Sequence, residues 1–143
     1  MTQHQELLRR AGMRVTNQRI SVLDTLTERD DAVTAQDLYL EFRRQGEGIG
    51  LSTVYRTLTS LVDAGLLDTF QRGGEQAFRA CSPRHHHHLV CSVCHQVTEL
   101  EAGLVEEWVG KVSDAYDFTV TSHKADIYGV CASCASAGGP SAG

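Results

Sequence analysis

Two short cysteine pairs, Cys91-Ser-Val-Cys94 and Cys131-Ala-Ser-Cys134, constrain this chain more than any other feature. Each C-x-x-C offers two thiolates from one tight turn, and two pairs complete the four-sulfur tetrahedron that zinc favours. Closing it staples the two ends of the segment from Cys94 to Cys131. That gap is longer than in a simple zinc ribbon and reads as a strand, a helix and another strand. A redox C-x-x-C of thioredoxin type opens a helix in a βαβ setting, whereas both pairs here read as ending strands. Four thiolates around one ion leave no open position for catalysis.

The chain has 143 residues, 41% hydrophobic and 22% charged, which suits one ordinary domain or two small ones. Two small domains would each be short of core and would lean on a metal or a partner subunit. No apolar run reaches membrane-spanning length and no basic-then-apolar N-terminus is present, so a cytoplasmic protein with no membrane segment is expected. In a reducing compartment the five cysteines do not suggest a disulfide framework, and Cys81 is left over from the pairs. A net charge of −5 gives no global argument for nucleic acid. Charge is uneven, however: Arg9, Arg10, Arg14 and Arg19 fall between Leu7 and Leu23 with no acidic residue among them.

Residues 1–65 read as helices. In TNQRISVLDTL, Thr16 is a candidate N-cap, with Ile20, Leu23 and Leu26 on one stripe. TAQDLYLEFRRQG opens with Thr34 and Asp37 in capping-box spacing, repeats apolar residues at Leu38 and Phe42, and stops at Gly46. In LSTVYRTLTSLVDAG, Ser52 is the expected cap, Gly65 the terminator, and Val54, Leu58, Leu61 and Val62 the buried stripe. Its other face, beginning at Ser52 and Thr53, carries Tyr55, Arg56, Thr59 and Ser60. LLDTFQR and EQAFRA then flank Gly73-Gly74, a two-residue hairpin signal. Three helices and a hairpin describe a winged helix-turn-helix, whose third helix would meet base edges.

Residues 82–84 break the pattern and are read as a hinge between a winged-helix domain, 1–81, and a small α/β domain, 85–134; residues 135–143 are read as a disordered tail. The fold class expected is therefore α+β. The second domain opens with four consecutive histidines, His85 to His88. If they are extended, His85 and His87 point one way and His86 and His88 the other, with same-face neighbours about 6 to 7 Å apart. One run could thus feed two metal sites. Cys81, Asp68, His86 and His88 would make one S/N/N/O set; His123, sharing a strand face with Thr119 and Thr121, and Glu106 would complete the other with His85 and His87. Residue spacing alone does not choose Asp68 over Glu75, or Glu106 over Glu101. The helix from about Leu104 to Tyr116 is expected to bury Leu104, Trp108, Val112 and Ala115, with Val105 and Val109.

Three stretches together, Arg14-Val-Thr-Asn-Gln-Arg19, Leu51-Ser-Thr-Val-Tyr-Arg-Thr-Leu58 and the histidine run with its two cysteine pairs, resemble the ferric uptake regulator family of bacterial metal sensors. The likeness is nearest to the zinc uptake regulator branch of actinobacterial type and covers about residues 5–134. The resemblance implies a C-terminal dimerisation domain and a homodimer that binds an A·T-rich inverted repeat in double-stranded DNA. It implies that Tyr55 and Arg56, supported by Arg14 and Arg19, contact DNA. It also implies structural zinc on Cys91, Cys94, Cys131 and Cys134, a hinge sensing site of Asp68, Cys81, His86 and His88, and an auxiliary regulatory site of His85, His87, Glu106 and His123. His95 departs from the family, which often has glycine after the second cysteine.

The function expected is a zinc-responsive repressor of zinc uptake and homeostasis genes, not an enzyme. The Cys81 thiolate favours zinc over iron, because soft sulfur suits zinc while iron and manganese sites lean on oxygen and nitrogen. An iron, manganese or peroxide sensor of the same family is the alternative. A zinc hydrolase would need an open coordination position beside a general base, and no H-E-x-x-H motif is present. A metal-storage protein would explain the histidines but not the winged helix.

Overall fold

The computed structural model describes residues 2–80, 87–101 and 103–137. The chain divides into two compact units, Met1–Pro83 and Arg84–Gly143.

The first unit runs α1 (Gln3–Arg10), α2 (Asn17–Thr27), β1 (Val33–Thr34), α3 (Ala35–Arg44), α4 (Leu51–Asp63), β2 (Asp68–Arg72) and β3 (Glu75–Arg79). Four helices rather than three precede the hairpin. The first, α1, has a full capping box between Thr2 and Gln5. Thr16 and Thr34 cap α2 and α3 through their hydroxyls, which accept from the backbone N–H of Arg19 and Asp37. Gly46 and Gly65 follow α3 and α4 with φ of +79° and +78°, the left-handed turn that ends a helix. The expected cap of α4 is wrong by two positions: Gly50 is the N-cap, without a side-chain bond, and Ser52 lies exposed in the first turn.

Leu8, Leu23, Leu26, Leu38, Phe42, Val54, Leu58, Leu61 and Phe78 form the core of this unit, with Val62 and Ile20 packed against it. Each aliphatic side chain so buried contributes about 1.5–3 kcal/mol. The sheet order is β1-β3-β2, and the hairpin pairs Asp68 with Arg79 through to Arg72 with Glu75. Gly73 and Gly74 both have positive φ, as a twist-matched two-residue turn requires. Arg72 anchors this wing to α3 through Asp37, Nη1 to Oδ2 at 2.7 Å.

The second unit runs β4 (His87–Cys91), β5 (Val97–Leu100), α5 (Gly103–Tyr116), β6 (Asp126–Gly129) and α6 (Ala132–Ser136). Its sheet order is β5-β4-β6, with β4 antiparallel to β5 and parallel to β6. Among the described residues, 118–125 form no strand, so the expected strand face of Thr119, Thr121 and His123 is not formed. The second cysteine pair does not end a strand either. Cys131 is the N-cap of α6, and that helix includes Ala135 and Ser136, which were expected in the tail. Residues 138–143 lie outside the described residues.

The burial expected for α5 is also not found. No residue of α5 is buried; Leu104 is 84% and Trp108 65% exposed, Ala115 is exposed, and Val105, Val109 and Val112 are half-buried. The stripe at helical spacing is present, but the described residues of the unit cover it only in part, at the valines. Phe118, Val120, Ile127 and Tyr128 of the same unit are exposed as well, more large apolar side chains than scattered surface positions account for.

Candidate metal centres

The end of β4, the turn after it, and the N-terminus of α6 bring Cys91, Cys94, Cys131 and Cys134 together, with their sulfurs all within 4.8 Å of one another. Cys94 Sγ and Cys131 Sγ lie 3.9 Å apart. Zinc–sulfur bonds of about 2.3 Å in a tetrahedron give sulfur–sulfur edges of about 3.8 Å, so the cluster has the dimensions of a four-thiolate zinc site. Cys131 and Cys134 open a helix, as a redox pair would, but the convergence of all four thiols on one point is what a shared ion requires.

Backbone amides tune this cluster. The N–H groups of Cys131 and Cys94 point at Cys91 Sγ, 3.4 and 3.5 Å away, and lower its thiol from 9.0 to about 6. Cys134 is pushed up to about 12, first by its bond to Cys131 and then by desolvation. One sulfur is ready to bind metal at neutral pH, and another gives up its proton only to a competing cation. The turn closes with His95 at φ +66°, its N–H donating to Cys91 O at 2.9 Å. Glycine suits such a position.

A second group lies in the same unit. His87 Nε2 is 3.0 Å and His123 Nε2 2.5 Å from Glu106 Oε1, and the two rings are 5.3 Å apart between centroids. His87 is wholly buried. Glu106 comes from the first turn of α5 and His123 from the segment before β6. Both edges are shorter than the roughly 3.3 Å of a tetrahedron around zinc with nitrogen and oxygen donors, so an ion would have to spread the three side chains apart. By type, the three donors fit a borderline metal. His85, the fourth member expected, lies outside the described residues, as do Cys81 and His86.

His88 points elsewhere, as alternation along β4 requires. Its Nδ1 is 2.9 Å from Asp126 Oδ1 on β6, a partner that sequence reading missed. The two residues are opposite each other in the parallel ladder but far apart in the chain, so no local pattern could have paired them. Asp68 sits half-buried at the start of β2 in the other unit.

The exposed side of α4 carries Ser52, Tyr55, Arg56 and Thr59, with Thr53 and Ser60 half-buried. The hydroxyls of Thr57 and Thr59 bond back to the carbonyls of Thr53 and Tyr55, leaving Tyr55 and Arg56 as the long projecting groups. Arg56 lines two hollows, one shared with Thr16, Gln18 and Arg19, the other with Gln36, Ser52 and Tyr55. Arg19 Nη1 donates to Arg14 O at 2.6 Å, shaping the turn before α2. Gln18 and Gln36 are additions to the residues expected; their positions in helix first turns gave no signal in the sequence.

Comparison with known proteins gives these features a setting. The chain is 45% identical over 127 residues to a zinc uptake regulation protein of Mycobacterium tuberculosis, covering 88% of this chain and 98% of that one. A crystal structure of the Vibrio cholerae ferric uptake regulator matches with a TM-score of 0.69 at 33% identity, over 89% of this chain and 98% of that chain. A zinc uptake regulator complexed with zinc and DNA matches with a TM-score of 0.71 at 27% identity, over 96% and 99%. The family model for the ferric uptake regulators matches residues 10–128, which takes in α4, the wing, β4 and most of β6, and on that extent the chain belongs to the ferric uptake regulator family.

Proposed function

We propose that this chain is a zinc-responsive transcriptional repressor that binds an operator with A·T-rich inverted repeats as a homodimer in the cytoplasm and controls genes of zinc uptake and homeostasis. The observation that carries the reading is the presence of two donor groups of different character in one unit. The four cysteines form a closed thiolate cluster suited to a permanent structural ion. His87, Glu106 and His123 form a harder group, already partly exposed at Glu106 and His123, suited to an ion that comes and goes.

The 45% identity to a zinc uptake regulation protein supports zinc over iron. The proposed sensing set, Asp68, Cys81, His86 and His88, supports it on donor chemistry, since a thiolate favours zinc. In sequence, Asp68 and Cys81 precede the boundary between the two units and His86 and His88 follow it, so engagement of all four by one ion would restrict the connection between them. Metal binding then acts by favouring the arrangement in which two α4 helices reach successive major grooves, about 34 to 36 Å apart. By linkage, DNA tightens metal binding by the same factor.

Tyr55 and Arg56 are the residues proposed to touch bases, with Ser52, Thr53, Arg14 and Arg19 at the phosphates, where the uncapped N-terminus of α4 adds free N–H groups. The apolar face of α5 with Phe118 and Ile127 is proposed as the homodimer contact.

The test is a titration of zinc into protein freed of regulatory metal, read by its binding to a labelled palindromic promoter fragment, with iron and manganese in parallel. Zinc alone driving tight binding is the expected result. Tight binding with iron or manganese only would identify the other kind of sensor found among its relatives, and no response to any metal would end the sensor reading. A Cys81→Ser variant with an unchanged zinc response would remove the sensing set.

A further inference from the structure

We infer that Asp126 is a positioning residue for the regulatory metal: it holds His88 in the one neutral tautomer whose Nε2 can serve as a ligand. This rests on the reading of His88 as a metal ligand. In β4 and β6 the two residues are ladder partners, and the backbone N–H of His88 donates to Ala125 O at 3.2 Å, which fixes both Cα positions. The imidazole is 4% exposed and the carboxylate 14%. A carboxylate accepts hydrogen bonds and does not donate them, so the 2.9 Å contact to Oδ1 places the ring proton on Nδ1. A neutral ring with its proton on Nδ1 keeps its lone pair on Nε2. The other oxygen, Oδ2, lies 3.2 Å from Lys124 Nζ, so the carboxylate has a partner on each side and its Oδ1 is left facing the ring.

The contrast with the neighbouring histidine carries the argument further. His87 and His123 direct Nε2 at Glu106, a carboxylate of the proposed donor set itself, so their hydrogen bonds occupy the atoms that a metal would use. His88 directs the opposite nitrogen at a carboxylate outside every expected donor set. That is the arrangement by which a carboxylate fixes ring orientation and raises ligand basicity, and loss of such a partner typically costs roughly 10–100-fold in metal affinity.

The experiment uses the full chain with its structural zinc retained and the regulatory metal removed. Nitrogen-15 histidine spectra, with the His88 signals assigned from a His88→Ala variant, report which ring nitrogen carries the proton. The Nδ1–H form is expected in the unmodified chain, and an Nε2–H form there overturns the inference without need of any further variant. Asp126→Ala is expected to release the tautomer and weaken regulatory zinc, measured by chelator competition, by roughly 10–100-fold, with Asp126→Glu restoring both in part. Zinc loss without a tautomer change would make Asp126 a direct donor and overturn the positioning role. Asp126→Ala with unchanged zinc affinity, in a protein where His88→Ala loses it, overturns the inference alone. If His88→Ala itself keeps zinc, the ligand assignment falls and takes the inference with it.

Discussion

At the scale of single residues, the four cysteines divide the work of holding a cation. Two amides aimed at Cys91 stabilise its thiolate, while Cys134 is left among other sulfurs that oppose a further negative charge. In metal-free protein this gives opposite pH dependences. The Cys91 thiol is lowered on folding, so its contribution to stability is complete above its ordinary 9.0 and is lost as pH falls through about 6. The Cys134 thiol is raised on folding, so its contribution is complete below 9.0 and is lost as pH rises toward about 12. Denaturation midpoints of the metal-free chain should therefore climb from pH 6 toward 9 and decline beyond. Thiolate absorbance should rise in separated steps over the same range; a single step near 9.0 would contradict the amide-tuned cluster.

The elements show a division between faces that pack and faces that act. On α4, Leu58 is fully buried and Arg56 is exposed two positions away. Leu58→Ala should destabilise the chain by about 2–5 kcal/mol, through lost transfer energy and the cavity left behind. Arg56→Ala should leave the denaturation midpoint unchanged, lower operator affinity and relax discrimination against a mismatched operator, with little change in the salt dependence of binding. Chemical denaturation and binding to matched and mismatched operators at several salt concentrations distinguish the two; a stability loss in Arg56→Ala would move that residue from the interface into the scaffold.

Much of this division was legible in the chain itself. Thr16, Thr34, Gly46, Gly65 and Gly73-Gly74 announce element ends because capping and positive φ are local chemistry. Ser52 misled because a serine two positions into a helix resembles a serine before it. Periodicity also identified the apolar stripe of α5, but a stripe does not say whether its cover comes from the same chain. The segment 118–125 misled for a related reason: alternating residues read as a strand, yet no ladder partner is provided within the described residues. Asp126 could not be read at all, since only the parallel crossing from β4 through α5 to β6 brings it to His88.

For the whole molecule, the uncovered face of α5 is the dominant fact. Trp108, Leu104 and Phe118 together would make an isolated chain a poor solute, and the proposed homodimer contact would bury them. Trp108→Glu should leave the unit folded, because the side chain is 65% exposed within it, and should shift the protein to monomer in analytical ultracentrifugation. Operator affinity should drop more than about tenfold, or about 1.4 kcal/mol, once two half-sites are no longer bound together. A Trp108→Glu protein that stays dimeric would place the contact elsewhere.

The central strand β4 gathers His87, His88 and Cys91, so proposed donors for three different metal groups lie within five residues of one backbone. Because side chains alternate along a strand, one residue added between His88 and Cys91 would send each histidine to the opposite side while the cysteine stayed in place. Replacement of a single donor harms one group; an insertion or deletion here harms both histidine groups at once. The length of this strand is thus under a tighter constraint than the identity of any one donor on it.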